Sequence, residues 1–193
     1  SLAPTTRIFS ASIPCQHDDM KKRRSFESGH RRKFLLVVDE SAEVESALYY
    51  AASRIAHSSG SLVLLYVIEP QEGQHWIGVR QKQLEEEANK ARALFRLYKR
   101  KLGTSGFDNV AAEEVVREGI KPEEITKLID EDEDIAILVL GAATDAKGPG
   151  PLVSSLAAGR YAGNFPIPIT IVPGNLTVED IKALACHKCP EAP

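Results

Sequence analysis

Three features of the chain predict an α/β protein built on an open parallel sheet of five strands with helices on both faces. First, short runs of five to seven apolar residues recur without a polar break: Phe34–Val38, Leu62–Ile68 and Ile135–Leu140. Such runs, rich in branched side chains, are the pattern of strands covered on both faces. Second, helical periodicity follows each run, and strands alternating with helices read as βαβ units. Third, the run at Ile135 leads into a long Gly- and Pro-rich loop, residues 141–153. In open α/β sheets a ligand sits at the carboxyl ends of the strands, where such a loop would lie.

The elements follow in order. After Phe34–Val38, the segment from Ser41 carries Val44, Ala47, Leu48, Ala51 and Ile55 on one helical face. Ser41 is the expected N-cap and Gly60 the expected residue beyond the C-terminus. Leu62–Ile68 is the second strand. A loop with Gly73, His75, Trp76 and Gly78 precedes a long helix over 81–102, whose apolar positions are Leu84, Ala88, Ala91, Phe95, Tyr98 and Leu102. Asn109–Arg117 is a weaker third strand. Pro122 suits a helical first turn, with Ile125, Leu128 and Ile129 buried behind it. The fourth strand starts at Ile135, a short helix is expected from about Ser155 to Gly163, and Ile167–Val172 is the fifth strand. Pro168 has no N–H for a ladder, which places that strand at an edge. Either a second copy of the chain or a C-terminal helix starting at Thr177 would then cover it; a two-fold dimer through Ile167–Val172 is the expectation, because such dimers are the commonest oligomers.

Composition sets the broad class. With 193 residues, 43% of them hydrophobic, the chain supports one core. No apolar run reaches the roughly 18 residues of a membrane span. Three cysteines (Cys15, Cys186 and Cys189) make no disulfide framework, so a reducing cytoplasm is expected. Cys186-His187-Lys188-Cys189 has the spacing of half a zinc site without a second half, which favours a frayed end with incidental thiols. The net charge of −3 divides into +5 over residues 1–33 and −8 beyond them. The basic arm lacks interleaved aromatics and an amphipathic face, so no nucleic-acid or membrane partner is expected. The domain reading is a disordered basic arm over 1–32, an α/β domain over 33–185 and a flexible tail over 186–193. Met20 is the sole methionine, and residues 1–19 are read as a segment upstream of the native start.

Several stretches together resemble the universal stress protein family: Val38-Asp39-Glu40-Ser41, Leu64-Leu65-Tyr66-Val67, Leu138-Val139-Leu140-Gly141 and Pro168-Ile169-Thr170-Ile171-Val172-Pro173. The resemblance runs over Lys33–Gly174. It implies a Rossmann-like sheet in the order 3-2-1-4-5 and a homodimer through the last strand. It also implies a crevice that takes ATP or another adenine nucleotide, with Mg as an optional companion. Nucleotide-binding members carry Gly-x2-Gly-x9-Gly-Ser/Thr after strand four. Here Gly141 matches the first glycine, Thr144 and Ser154 stand at the second and third, and Ser155 matches the final Ser/Thr. Asp39 matches an aspartate facing the nucleoside, and Val67 a residue whose backbone meets the adenine.

The residues themselves leave two readings open. Gly148 and Gly150 give the loop freedom, Thr144, Ser154 and Ser155 offer hydroxyls, and Lys147 offers a charge. Against these, Pro149 and Pro151 remove two N–H donors, and either serine could simply cap a helix. Asp39 could equally be a polar strand terminus, and Trp76 a cover for the sheet. No Walker loop follows strand four, and Asp39-Glu40-Ser41 lacks the glycines of an ATP pyrophosphatase. No nucleophile–base pair is evident. The expected function is a cytoplasmic stress-response homodimer binding an adenine nucleotide without dedicated catalysis. The alternatives are a scaffold with an empty crevice, working through protein partners not identifiable from the sequence, and a slow ATP hydrolase. On this reading, Asp39→Ala and a bulky residue at Gly141 would each weaken nucleotide binding and leave the fold intact.

Overall fold

The computed structural model describes residues 22–70, 77–145, 147–159 and 161–185; the side chains of Ile77 and Val79 are also outside it. Five parallel strands, β1 (Lys33–Val37), β2 (Ser61–Ile68), β3 (Ala112–Glu118), β4 (Ile135–Ala142) and β5 (Ile169–Pro173), pair in the order β3-β2-β1-β4-β5. The helices are α1 (Glu43–Ala56), α2 (Ile77–Thr104), α3 (Lys121–Glu131) and α4 (Val178–Ala185), with a π-helical turn at Val153–Ala157. Among the described residues no helix is long and apolar enough to cross a membrane.

Alternation along the strands sorts the core into two layers. Phe34, Leu36, Leu64 and Tyr66 point to one face and pack with α1, α2 and α4. Leu35, Val37, Leu65 and Val67 point to the other, against Ile125, Leu128 and Ile129 of α3 and against Val153 and Leu156. A register shift in β4 pairs Lys33 with Ile135 but Phe34 with Ile137, so Ile135 and Ile137 face opposite layers.

Several boundaries differ from the sequence expectation. Ala42, not Ser41, stands at the α1 N-cap, because the Ser41 N–H and hydroxyl are both turned onto Asp39. α1 stops at Ala56, and Gly60 is needed instead for a close approach, since a Cβ there would lie 2.8 Å from the Arg32 carbonyl. α2 begins at Ile77, four residues early, so Gly78 is helical; a 28-residue helix absorbs the roughly 1 kcal/mol a glycine costs. β3 is shifted three residues later at its start, and β5 starts just after Pro168, whose carbonyl accepts from Leu138 N–H at 3.0 Å. Helical backbone after the long loop starts at Pro151, not Ser155, as a proline in a first turn allows.

β5 is an edge strand, with Ile171 43% exposed. α4 does not cover that edge; its Ile181 packs into the α1 layer. Its start is fixed by a reciprocal box in which Thr177 Oγ1 accepts from Asp180 N–H (3.2 Å) while Asp180 Oδ2 accepts from Thr177 N–H (3.0 Å). Residues 22–32, assigned from sequence to the solvated arm, lie against the α3–β4 turn. Arg24 N–H donates to the Glu133 carbonyl at 3.1 Å, and His30 Nδ1 is 2.6 Å from Asp134 Oδ1. The remainder of the arm, the Gly73–Trp76 loop and the Cys186–Cys189 segment lie outside the described residues.

Candidate functional site

The order β3-β2-β1-β4-β5 reverses direction between β1 and β4, and the chain leaves those two strands in opposite directions. A crevice opens there at the strands' carboxyl ends. Asp39 follows β1 and Gly141 is the penultimate residue of β4, and both line this crevice with Ser41, Glu43, Lys121 and Pro149–Val153. Two of the expected site residues are thus brought together from about a hundred residues apart.

Asp39 is held from three sides. Its Oδ1 accepts from Ser41 N–H at 2.9 Å and from the Ser41 hydroxyl, which closes a local turn. Its backbone carbonyl accepts from the Tyr98 hydroxyl at 3.0 Å. Burial, followed by the nearby carboxylates of Asp39, Glu45, Glu40 and Glu43, pushes the Tyr98 hydroxyl up to about 12, so it stays a donor. Tyr98 reads from sequence as core alone. The signal that it does more is general: a buried tyrosine hydroxyl needs a partner.

Val67 lies outside the lining of the crevice, its side chain in the α3 layer. Its backbone direction follows from its neighbours. Leu65 O accepts from Val38 N–H toward β1, whereas Ile68 O accepts from Gly119 N–H toward β3. By alternation the Val67 N–H and C=O point to the β1 side, above the point where β1 has ended.

The other half of the expected site is arranged differently. Thr144 and Lys147 are exposed and away from the crevice lining. The Lys147 N–H is used by Asp145 Oδ1 at 2.9 Å, and Ala143 N–H donates to Pro149 O at 3.1 Å, folding the loop on itself. Gly148 and Gly150 adopt φ of +110° and +96°, which explains why glycine stands at both. Ser154 N–H donates to Gly150 O, and the Ser155 hydroxyl donates to Leu152 O at 3.2 Å. Ser155 is therefore inside the helical turn, not at its start, and offers no end-of-helix N–H groups.

Gly141 has a packing reason of its own. A Cβ there would stand 2.3 Å from the Glu43 carbonyl oxygen and 2.6 Å from its carbon. The first residue of α1 sits on this glycine and on Gly174, where a Cβ would be 2.8 Å from Glu43 Cβ. This corrects the expectation that a bulky residue at Gly141 spares the fold. The same wedge fills the crevice, leaving a cavity of about 50 Å³. Its charges are the carboxylates of Asp39 and Glu43 and the ammonium of Lys121, which lies 3.4 Å from Glu69.

The fold and the crevice can be set beside known proteins. Residues 30–173 match the model of the universal stress protein family. No curated protein matches the chain. Among solved structures, universal stress protein UspA from Lactobacillus plantarum is 18% identical with a TM-score of 0.55, over 73% of this chain and 97% of that one. The universal stress protein from Archaeoglobus fulgidus in complex with dAMP is 17% identical with a TM-score of 0.51, over 73% and 97%. A family protein from Arabidopsis thaliana with AMP bound is 16% identical with a TM-score of 0.50, over 74% and 91%. At these identities the structures speak to the fold, and the family match extends over most of the chain. With its five parallel strands in the order 3-2-1-4-5, this chain belongs to the universal stress protein family.

Proposed function

We propose that this protein is a cytoplasmic stress-response homodimer whose crevice recognises the nucleoside half of an adenine nucleotide, adenosine or AMP, without dedicated catalysis. The observation that carries the reading is the asymmetry of the crevice. On its β1–β2 side, the Asp39 carboxylate suits ribose hydroxyls, and the Val67 backbone, just beyond the present lining, suits an adenine edge. On its β4 side, Pro149 and Pro151 lack N–H groups and Glu43 adds a negative charge, which opposes a polyphosphate and its Mg. Relatives solved with AMP and with dAMP support the choice of a nucleoside monophosphate. The open edge of β5, with Ile171 exposed, supports the dimer.

A nucleoside needs several times the present 50 Å³, so binding requires the 143–150 loop to move. Calorimetric titration with adenosine, AMP and ATP tests the proposal. Adenosine and AMP should bind within a few-fold of each other, and ATP about tenfold or more weaker. ATP binding tenfold tighter than AMP would sink it. The small cavity favours a second reading, a scaffold whose crevice stays shut; absence of saturable binding of all three up to millimolar concentration would select it.

A further inference from the structure

A larger cavity lies at the other end of the sheet, on the α1 face, away from the crevice. Phe34 of β1, Ile137 of β4 and Thr170 of β5 form its floor, and Tyr50 and Arg54 of α1 form a wall. Phe34 pairs with Ile137, and Thr170 pairs with Val139 two residues further along β4, so the three make one diagonal row on one face. The cavity has a volume of about 520 Å³, roughly ten times that of the crevice. That falls within the range of about 300–1,000 Å³ common for small-molecule sites. The C-terminal end of α1 borders it, and Ala185 of α4 stands on its rim.

The charge around it has one sign. Arg32 and Arg54 line it, with His57 beside them, and among the described residues no carboxylate does. Elsewhere on the described surface several cations stand beside carboxylates, as Lys33 does with Asp132, Lys99 with Glu114 and Arg117 with Glu131. Arg54 also complements the C-terminal end of the α1 dipole. That explanation does not extend to Arg32, which precedes a strand, nor to the hollow over Phe34, Ile137 and Thr170.

We propose that this cavity binds a small amphipathic anion. Its carboxylate, sulfonate or phosphate is held by Arg32 and Arg54, and its aromatic or short alkyl body lies on Phe34, Tyr50 and Ile137. Guanidinium groups suit such anions because their planar donors match two oxygens at once. The site is independent of the nucleotide crevice.

The test uses the full chain and the fluorescent anion 1-anilinonaphthalene-8-sulfonate. One saturable site per chain is expected, displaced by octanoate, by phenyl phosphate or by both, which separates carboxylate from phosphate preference, and not displaced by AMP. Arg32→Glu and Arg54→Glu should each weaken dye binding about tenfold or more. Arg54→Lys should recover part of the loss, and Arg96→Glu on α2 should change nothing. Circular dichroism checks that each variant is folded; Arg54 is exposed, so its replacement leaves the core untouched. Absence of saturable binding, equal affinity across the variants, displacement by AMP, or failure of both competitors would overturn the proposal.

Discussion

Replacing Gly141 by alanine is the sharpest probe of how the crevice is built. The new methyl would meet the Glu43 carbonyl oxygen at 2.3 Å, its carbon at 2.6 Å and its Cβ at 2.9 Å. Two of those atoms are backbone at the start of α1, so no side-chain rotation relieves the overlap. Restoring ordinary contact near 3.4 Å moves the end of α1 about 1 Å away from β4. Overpacking of this kind costs about 1–3 kcal/mol, and a backbone clash belongs at the upper end. About 3 kcal/mol in a domain of this size lowers Tm by roughly 6–12 °C. Urea denaturation with an unchanged slope measures it directly. Gly103→Ala is the matched control: that glycine lies within α2 with nothing within 4 Å of its Cβ position, and alanine there should stabilise by about 0.5–1 kcal/mol. A loss of less than about 1 kcal/mol for Gly141→Ala would refute the wedge. It would also return the glycine to a purely ligand-facing role.

Tyr98 should give the protein an alkaline weakness. Its hydroxyl pKa is raised from the ordinary 10 to about 12, so the folded state holds the proton more tightly than the unfolded chain. The resulting stability is complete below pH 10 and is lost as pH rises from 10 to 12. Tyr98→Phe should flatten that part of an alkaline denaturation curve and cost about 1 kcal/mol at neutral pH for the lost bond to Asp39. Thr177→Ala should remove the α4 cap, costing about 1 kcal/mol, with faster hydrogen exchange confined to α4. Ile171→Lys on the β5 edge should convert a dimer to a monomer in light scattering without unfolding it; a dimer that persists would place the interface elsewhere.

What the sequence made legible was what repeats locally. Three strands stand out as unbroken apolar runs, and the faces of α1, α2 and α3 are readable because burial follows the helical period. The start of α2 was hidden because Gly78 reads as a loop residue and its cost is absorbed by the 28 residues around it. The helical turn after the loop starts at Pro151, a better first-turn residue than either serine, whose hydroxyls resemble a cap in the sequence alone. In the crevice, the positions of Asp39 and Gly141 were readable from strand ends alone. The occupancy of the space between them was not. Glu43 and Gly141 are brought together only by the parallel crossover, and no local pattern announces a backbone that comes within 2.3 Å of a missing side chain.

The loop beside that wedge sets the scale of any ligand affinity. To admit a nucleoside, the 143–150 loop must leave the crevice, which breaks at least the Ala143 N–H to Pro149 O bond at 3.1 Å and the Ser154 N–H to Gly150 O bond at 3.0 Å. At about 1 kcal/mol each, the open form lies about 2 kcal/mol above the closed one and is populated at a few per cent. The apparent affinity then falls about thirtyfold below the intrinsic one. A nucleoside held by the Asp39 carboxylate and the Val67 backbone at about 10 μM intrinsically would register near 300 μM. The same arithmetic separates the two readings of the crevice. A loop that opens at this cost yields weak but saturable binding of adenosine and AMP, whereas a crevice held shut by the α1 wedge itself, at the roughly 3 kcal/mol of the Gly141 methyl, would push the same ligand beyond about 1 mM.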